Sequence, residues 1–245
     1  MLEVDFISHF VSVLQCTHCD NSNCKNLLRD AQENLPQPGY IGANYFSKRV
    51  LLVGQNPGVS TAALSQPDGI YTSALRILRD HPSTDSWSGL RDALINFVPR
   101  WPVTGRHFPL RKSGLSLEDI AYCNLVRCRT ISNATPTSKM TGSCASLHFR
   151  HTLDILEPVA IVFIGKWSMT NGSEYAKARS IPFEHIDRNR SLALTARESN
   201  HERVAAFIRT RLLDVAPELP SRQLPRPSKP IAPAPLFGTA PDQQI

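Results

Sequence analysis

KRVLLVGQNPG, running from Lys48 to Gly58, is the stretch whose reading decides the fold. Val50 to Val53 is an unbroken apolar run with β-branched ends, the pattern of a strand buried on both faces of a parallel sheet. It gives way to Gly54-Gln-Asn-Pro-Gly58, a turn with two glycines free to take positive φ and a proline whose φ is fixed. Ligands of open α/β sheets bind in the crevice beyond the carboxyl ends of the strands. A tight loop there, carrying two side-chain amides and several backbone N–H groups, is a candidate site. Read alone, a Gly-Pro turn after a strand is more often only a turn.

Upstream, Leu2 to Gln15 reads as an amphipathic helix with Phe6, Phe10, Val13 and Leu14 near one face. Glu3, Asp5 and the lack of a basic leader argue against a signal peptide. Cys16-Thr-His-Cys19 and Cys24 follow, and Pro36 to Gly39 breaks the chain before the first strand. Downstream, Thr72 to Arg79 is predicted as a helix that stops before Pro82. Trp87 to Gly114, rich in Trp, Pro, Gly and Arg, reads as a long irregular surface loop around a short helix at Gly89–Phe97, and such loops are more often functional than idle. Ala121 to Val126 is a second strand, followed by Arg127-Cys-Arg129. Ser146 to Leu156 is helical, and Val159 to Ile164 is another buried strand ending in a Gly165-Lys166 turn. Pro182–Ile186 and Ser191–Thr195 are short strand candidates. Glu202 to Val215 closes the fold with Val204, Phe207, Ile208, Leu212 and Val215 on its apolar side. Strands interleaved with helices predict an α/β fold, a three-layer α/β/α sandwich with a short, mainly parallel central sheet, over residues 1–215. From Pro217 onward eight of 29 residues are proline, so residues 216–245 read as a disordered tail.

The 245 residues and 41% hydrophobic content suffice for a sizeable core. A net charge of +6 leans toward an anionic partner, with DNA or RNA the first guess. No apolar run approaches the roughly 18 residues of a membrane span. A cytoplasmic monomer with no membrane partner is expected.

Six cysteines in such a chain point to metal or thiol chemistry rather than a disulfide framework. Cys16 and Cys19 form a CxxC, which presents two thiolates to one centre. Cys128 and Cys144, with fifteen residues between them, supply two more. Four thiolates complete either a tetrahedral zinc site or a four-cysteine iron–sulfur cluster; buried reduced cysteines are the plainer alternative.

Taken in order, Cys16-x-x-Cys19, Gly54-Gln-Asn-Pro-Gly58, Asn124-Leu-Val-Arg-Cys128-Arg129 and Cys144 resemble the uracil-DNA glycosylase superfamily, most closely its iron–sulfur branch, family 4. The resemblance spans about residues 10 to 213. It implies a [4Fe–4S] cluster on Cys16, Cys19, Cys128 and Cys144, structural rather than catalytic, with zinc as the alternative cofactor and Cys24 as a rival ligand. Cys123 is left over. It also implies a monofunctional glycosylase acting on DNA, excising uracil or another modified pyrimidine and leaving an abasic site.

Such chemistry flips a nucleotide out of the stack and cleaves its C1′–N bond. Positive charge then develops on the sugar and negative charge on the departing base, so the site needs an oriented water and donors facing the base. By the resemblance Asn56 aligns the water, while Gly54, Gln55 and Gly58 bring the loop to the base or its sugar. Relatives carry GQDPY, GINPG, GMNPG or GEAPG at this loop, and GQNPG combines features of the first three. Asn124, with one donor and one acceptor, matches O4 and N3–H of uracil. Tyr71, the aromatic residue between Gly58 and Arg79, is the candidate to stack on the base. The family's second motif, of His-Pro-Ser type, has no literal counterpart; Arg197 and His201 within Thr195–Glu202 are the candidates to replace its histidine. Arg127, Arg129, Lys166, Arg188 and Arg190 are candidate phosphate contacts. His18, His148 and His151 read as structural. The altered second motif leaves two alternatives: a glycosylase for a bulky or foreign modified base, or a non-catalytic DNA-binding relative.

Overall fold

The computed structural model describes residues 2–19, 24, 26–29, 32–58, 66–97, 108–187 and 194–214. Helix α1 (Leu2–Leu14) is followed by two-residue strands β1 (Leu27–Leu28) and β2 (Tyr40–Ile41), the short helix α2 (Tyr45–Lys48) and strand β3 (Val50–Gly54). Helices α3 (Gln66–Asp80) and α4 (Thr84–Phe97) pair with each other before β4 (Ile120–Asn124) and β5 (Arg129–Thr130). One helical rod then comprises α5 (Ser138–Cys144), a π turn (Ala145–Phe149) and α6 (Arg150–Leu156). Strand β6 (Ala160–Ile164), helix α7 (Lys166–Lys177), strand β7 (Phe183–Ile186) and helix α8 (Leu194–Asp214) complete the chain.

The central sheet has the order β2-β4-β3-β6-β7, with β4, β3, β6 and β7 parallel and β2 an antiparallel edge. Helices cover it in a three-layer α/β/α arrangement. Every residue of β3, β4 and β6 is buried, as continuous apolar strands between two helical layers require. Leu51, Leu52, Ile161, Val162 and Phe163 are all fully enclosed, each contributing about 1.5–3 kcal/mol by leaving water. Among the described residues no helix is long and apolar enough to cross a membrane.

Several boundaries differ from the sequence expectation. Helix α4 begins five residues before Gly89, taking in Trp87, which is buried. Its start is fixed by Ser83 and Ser86, whose hydroxyls and backbone N–H groups bond reciprocally at 2.9 and 3.1 Å. The expected loop therefore begins after this helix, and residues 98–107 lie outside the described residues. Helix α7 occupies what reads as a turn at Gly165-Lys166. Its Ser168 and Asn171 back-bond to the carbonyls of Ile164 (3.0 Å) and Trp167 (2.8 Å), which accommodates poor helix formers. Gly172 lets this helix lie close on β6, since a Cβ there would meet Phe163 at 2.5 Å. Leu194 and Thr195 are helical rather than the end of a strand, and the rest of that candidate, 191–193, lies outside the described residues. So does the proline-rich tail, 216–245.

Candidate functional site

Parallel pairing sets Gly54 of β3 opposite Asn124 of β4. The ladder continues past the strand ends: Leu125 N–H donates to Gly54 O (2.9 Å) and Val126 N–H to Gln55 O (3.0 Å). The Gly54–Gly58 loop is thus stitched along residues 124–126, and the amides of Asn56 and Asn124 stand at one carboxyl edge of the sheet. Gln55 and Asn56 are half-buried, Gly58 exposed and Asn124 buried.

Gly54 has no room for a side chain. A Cβ would lie 2.3 Å from Asn124 Oδ1 and 2.6 Å from Tyr122 Oη. Those two atoms are themselves bonded, the Tyr122 hydroxyl donating to Asn124 Oδ1 at 2.8 Å. That leaves Nδ2 as the donor group of the Asn124 amide. Asn56 is anchored from the other side. Its Nδ2 donates to Thr130 Oγ1 (3.1 Å) and to Pro57 O (3.2 Å), and the Thr130 hydroxyl donates onward to Ala134 O (2.6 Å). With both amide protons committed, Oδ1 is the polar atom of Asn56 that can hold a water.

Tyr71, on α3, is 4% exposed and belongs to the hydrophobic core. Arg197 and His201 lie one turn apart on α8, whose start follows the carboxyl end of β7. Both are half-buried; burial first, then Lys112 and Arg197, lowers the His201 pKa. No described hydrogen bond or ion pair joins either to Asn56 or Asn124. Of the phosphate candidates, Lys166 is exposed at the start of α7. Arg127 is a correction: it is completely buried, its guanidinium donating to Pro38 O and Thr152 Oγ1, both at 2.7 Å. Arg129 is likewise buried, and Arg188 and Arg190 lie outside the described residues.

Cys16, Cys19, Cys128 and Cys144 line one pocket, together with His18, Arg29, Arg127 and His148. Three separate pieces of chain converge there: the turn after α1, the β4–β5 connection and the end of α5. The antiparallel β1–β5 ladder, Leu27↔Thr130 and Leu28↔Arg129, holds the first beside the second. Backbone N–H of Arg127 donates to Cys144 Sγ at 3.2 Å. Burial pushes the Cys19 thiol up to about 12, and Cys24, Cys144 and Cys16 add to the rise. Cys128 and Cys144 are raised too, first by burial and, for Cys128, next by Cys144. Such thiols ionise only with a cation among them. Cys24 and Cys123 are both buried but neither lines the pocket. Among the described residues no three of His, Cys, Asp or Glu are grouped closely enough to hold a single metal ion.

Behind the pocket the Thr152 hydroxyl links Arg127, His9 Nε2 (3.0 Å) and the His148 carbonyl (2.8 Å). Burial, then the Arg127 charge, lowers His9 to about 2 and His148 to about 4, so both imidazoles are neutral at pH 7.

The sequence reading assigns no role to Thr130 or Tyr122, and it takes His148, which lines the cysteine pocket, as structural. Tyr122 was within reach, because it lies two residues before Asn124 on a strand and shares its face. His148 was also within reach, four residues after Cys144 on a helical rod. Nothing local marks Thr130.

A stretch of 62 residues is 37% identical to the type-4 uracil-DNA glycosylase of Thermotoga maritima, covering 25% of this chain and 31% of that protein. No known family model matches the chain.

Proposed function

We propose that this chain is a monofunctional DNA glycosylase of the uracil-DNA glycosylase superfamily, hydrolysing the N-glycosidic bond of uracil or another modified pyrimidine flipped out of DNA. The register that sets Gly54 against Asn124, and so brings two anchored amides to one sheet edge, carries this reading. The partial similarity to a type-4 uracil-DNA glycosylase supports it.

In this mechanism Asn56 Oδ1 accepts a hydrogen bond from water and aims an oxygen lone pair at C1′. The C1′–O bond forms as the C1′–N bond breaks; the electron pair leaves with the base, the attacking water gives up a proton to solvent, and the departing base takes one up from solvent. Asn124 Nδ2 donates to a carbonyl oxygen of the base and stabilises the charge gathering there. Being neutral, Asn56 contributes orientation rather than charge, an effect on the order of 100-fold for a displaced reactant. Lys166, exposed at the start of α7, suits a phosphate contact that positions DNA without reading its sequence.

The donors of the cysteine pocket fit a [4Fe–4S] cluster. Four thiols face one space, a backbone N–H points at Cys144 Sγ, and no carboxylate lines the pocket among the described residues. When bound, the cluster supplies cross-linking of three chain segments.

Incubation with oligonucleotides bearing uracil, other modified pyrimidines or normal bases, followed by alkali cleavage, tests the activity. Strand breaks at uracil or a modified pyrimidine are expected, with about 100-fold less in Asn56→Ala. Binding without cleavage of any such base would overturn the reading in favour of a non-catalytic relative.

A further inference from the structure

We propose that His148 is a further member of the cysteine pocket, its Nε2–H donating to a sulfur of the cluster held there and raising the cluster's reduction potential. This rests on the reading of the pocket as an iron–sulfur site. His148 is 7% exposed and lines the pocket with the four cysteines. Its Nε2 is buried without a hydrogen-bond partner among the described residues. A stranded buried polar atom costs about 1–3 kcal/mol, so native structures almost always supply a partner. The four cysteine sulfurs that line the pocket with it are acceptors for such a donor.

The backbone holds the ring to that task. Cys144, His148 and Thr152 recur every four residues along one rod, and the π turn Ala145–Phe149 sits between the cysteine and Thr152. Single π turns inside helices are frequent at functional sites. The Thr152 hydroxyl holds the His148 carbonyl at 2.8 Å, and Arg127 fixes Thr152 in turn. His9 also has an unpartnered nitrogen, Nδ1, but packs on the His151 ring with centroids 4.8 Å apart and does not line the pocket. His148 alone of the two can meet the cluster.

Hydrogen bonds to the sulfurs are among the determinants of cluster potential. Reduction adds negative charge, which an N–H donor stabilises, so losing the donor makes the potential more negative. The test compares wild-type protein with His148→Phe, similar in bulk without a donor, and His148→Gln, which keeps an amide N–H. Iron analysis and absorbance of the wild type come first: zinc or no metal overturns the cluster reading, and this inference with it. With iron bound, the midpoint of the accessible couple is expected to fall in His148→Phe and to recover at least partly in His148→Gln. An unchanged or higher midpoint in His148→Phe overturns the inference while leaving the cluster reading intact. If His148→Phe retains no iron, iron content decides. Retention by His148→Gln supports the donor, and equal loss in both variants overturns it.

Discussion

Thr130→Val removes one hydroxyl and little else, so it isolates the anchor of Asn56. In the wild type that hydroxyl accepts from Asn56 Nδ2 at 3.1 Å and donates to Ala134 O at 2.6 Å. Valine keeps the shape and the β-branch of a strand residue. After substitution the amide retains its weaker bond to Pro57 O, at 3.2 Å, and can turn its nitrogen toward the water. A neutral hydrogen bond holds an orientation by about 0.5–1.5 kcal/mol. At 1.36 kcal/mol per decade of rate, the loss corresponds to roughly a 2- to 12-fold lower excision rate. Loss of the bond to the half-buried Ala134 carbonyl adds a stability loss of about 0.5–1.5 kcal/mol. Because Asn124 is untouched, base binding should hold nearly constant and the defect should lie in kcat. Single-turnover excision with enzyme in excess, alongside thermal melting, separates the two effects. Thr130→Ser, which restores the hydroxyl, should recover most of the rate. A well-folded Thr130→Val variant with the wild-type rate, or a serine variant as slow as the valine, would refute the anchoring argument.

Three further substitutions probe the surrounding structure. In Gly54→Ala the new methyl would need space held by Asn124 Oδ1 at 2.3 Å and Tyr122 Oη at 2.6 Å. Displacing that pair should cut excision at least about tenfold, as for a donor moved out of place, and a wild-type rate would show the close approach to be dispensable. In Arg127→Met the acceptors Pro38 O and Thr152 Oγ1 lose their donor, at about 1–3 kcal/mol each. Urea unfolding should show that loss, and an unchanged midpoint would place the guanidinium outside the stabilising network. His9, ordinarily near 6.5 and lowered to about 2 by burial and Arg127, stays neutral when folded and gains a proton on unfolding. Its contribution is therefore intact above pH 6.5 and is lost as pH falls, at up to about 1.4 kcal/mol per pH unit. Stability measured from pH 7 to 5 should decline less steeply in His9→Leu, and identical slopes would count against the buried neutral imidazole.

The strands were legible because β3, β4 and β6 are short apolar runs, interrupted by Gly54, Asn124 and, just past β6, Gly165. Their register followed from neither pattern nor composition. Pairing Gly54 with Asn124 is a long-range fact, expressed only once β3 and β4 lie side by side. Helix α7 was hidden because Ser168, Thr170, Asn171 and Gly172 are weak helix formers, and tertiary packing on β6 overrode propensity. Arg127 was misread from its type, since arginine is rarely enclosed; its acceptors at positions 38 and 152 are remote in sequence. The two-residue ladder of β1 with β5 was too short to carry any periodic signal.

That small ladder has a mechanical consequence. Cys128 and Thr130 are separated by one residue, and β5 is the short rigid bar that carries the second of them. Its first residue directly follows Cys128 of the cysteine pocket, and its second accepts from the Asn56 amide. On the proposed reading, slackness introduced among those thiols, by chelation or oxidation, would be transmitted to Asn56. Catalytic failure should then come before any general loss of structure.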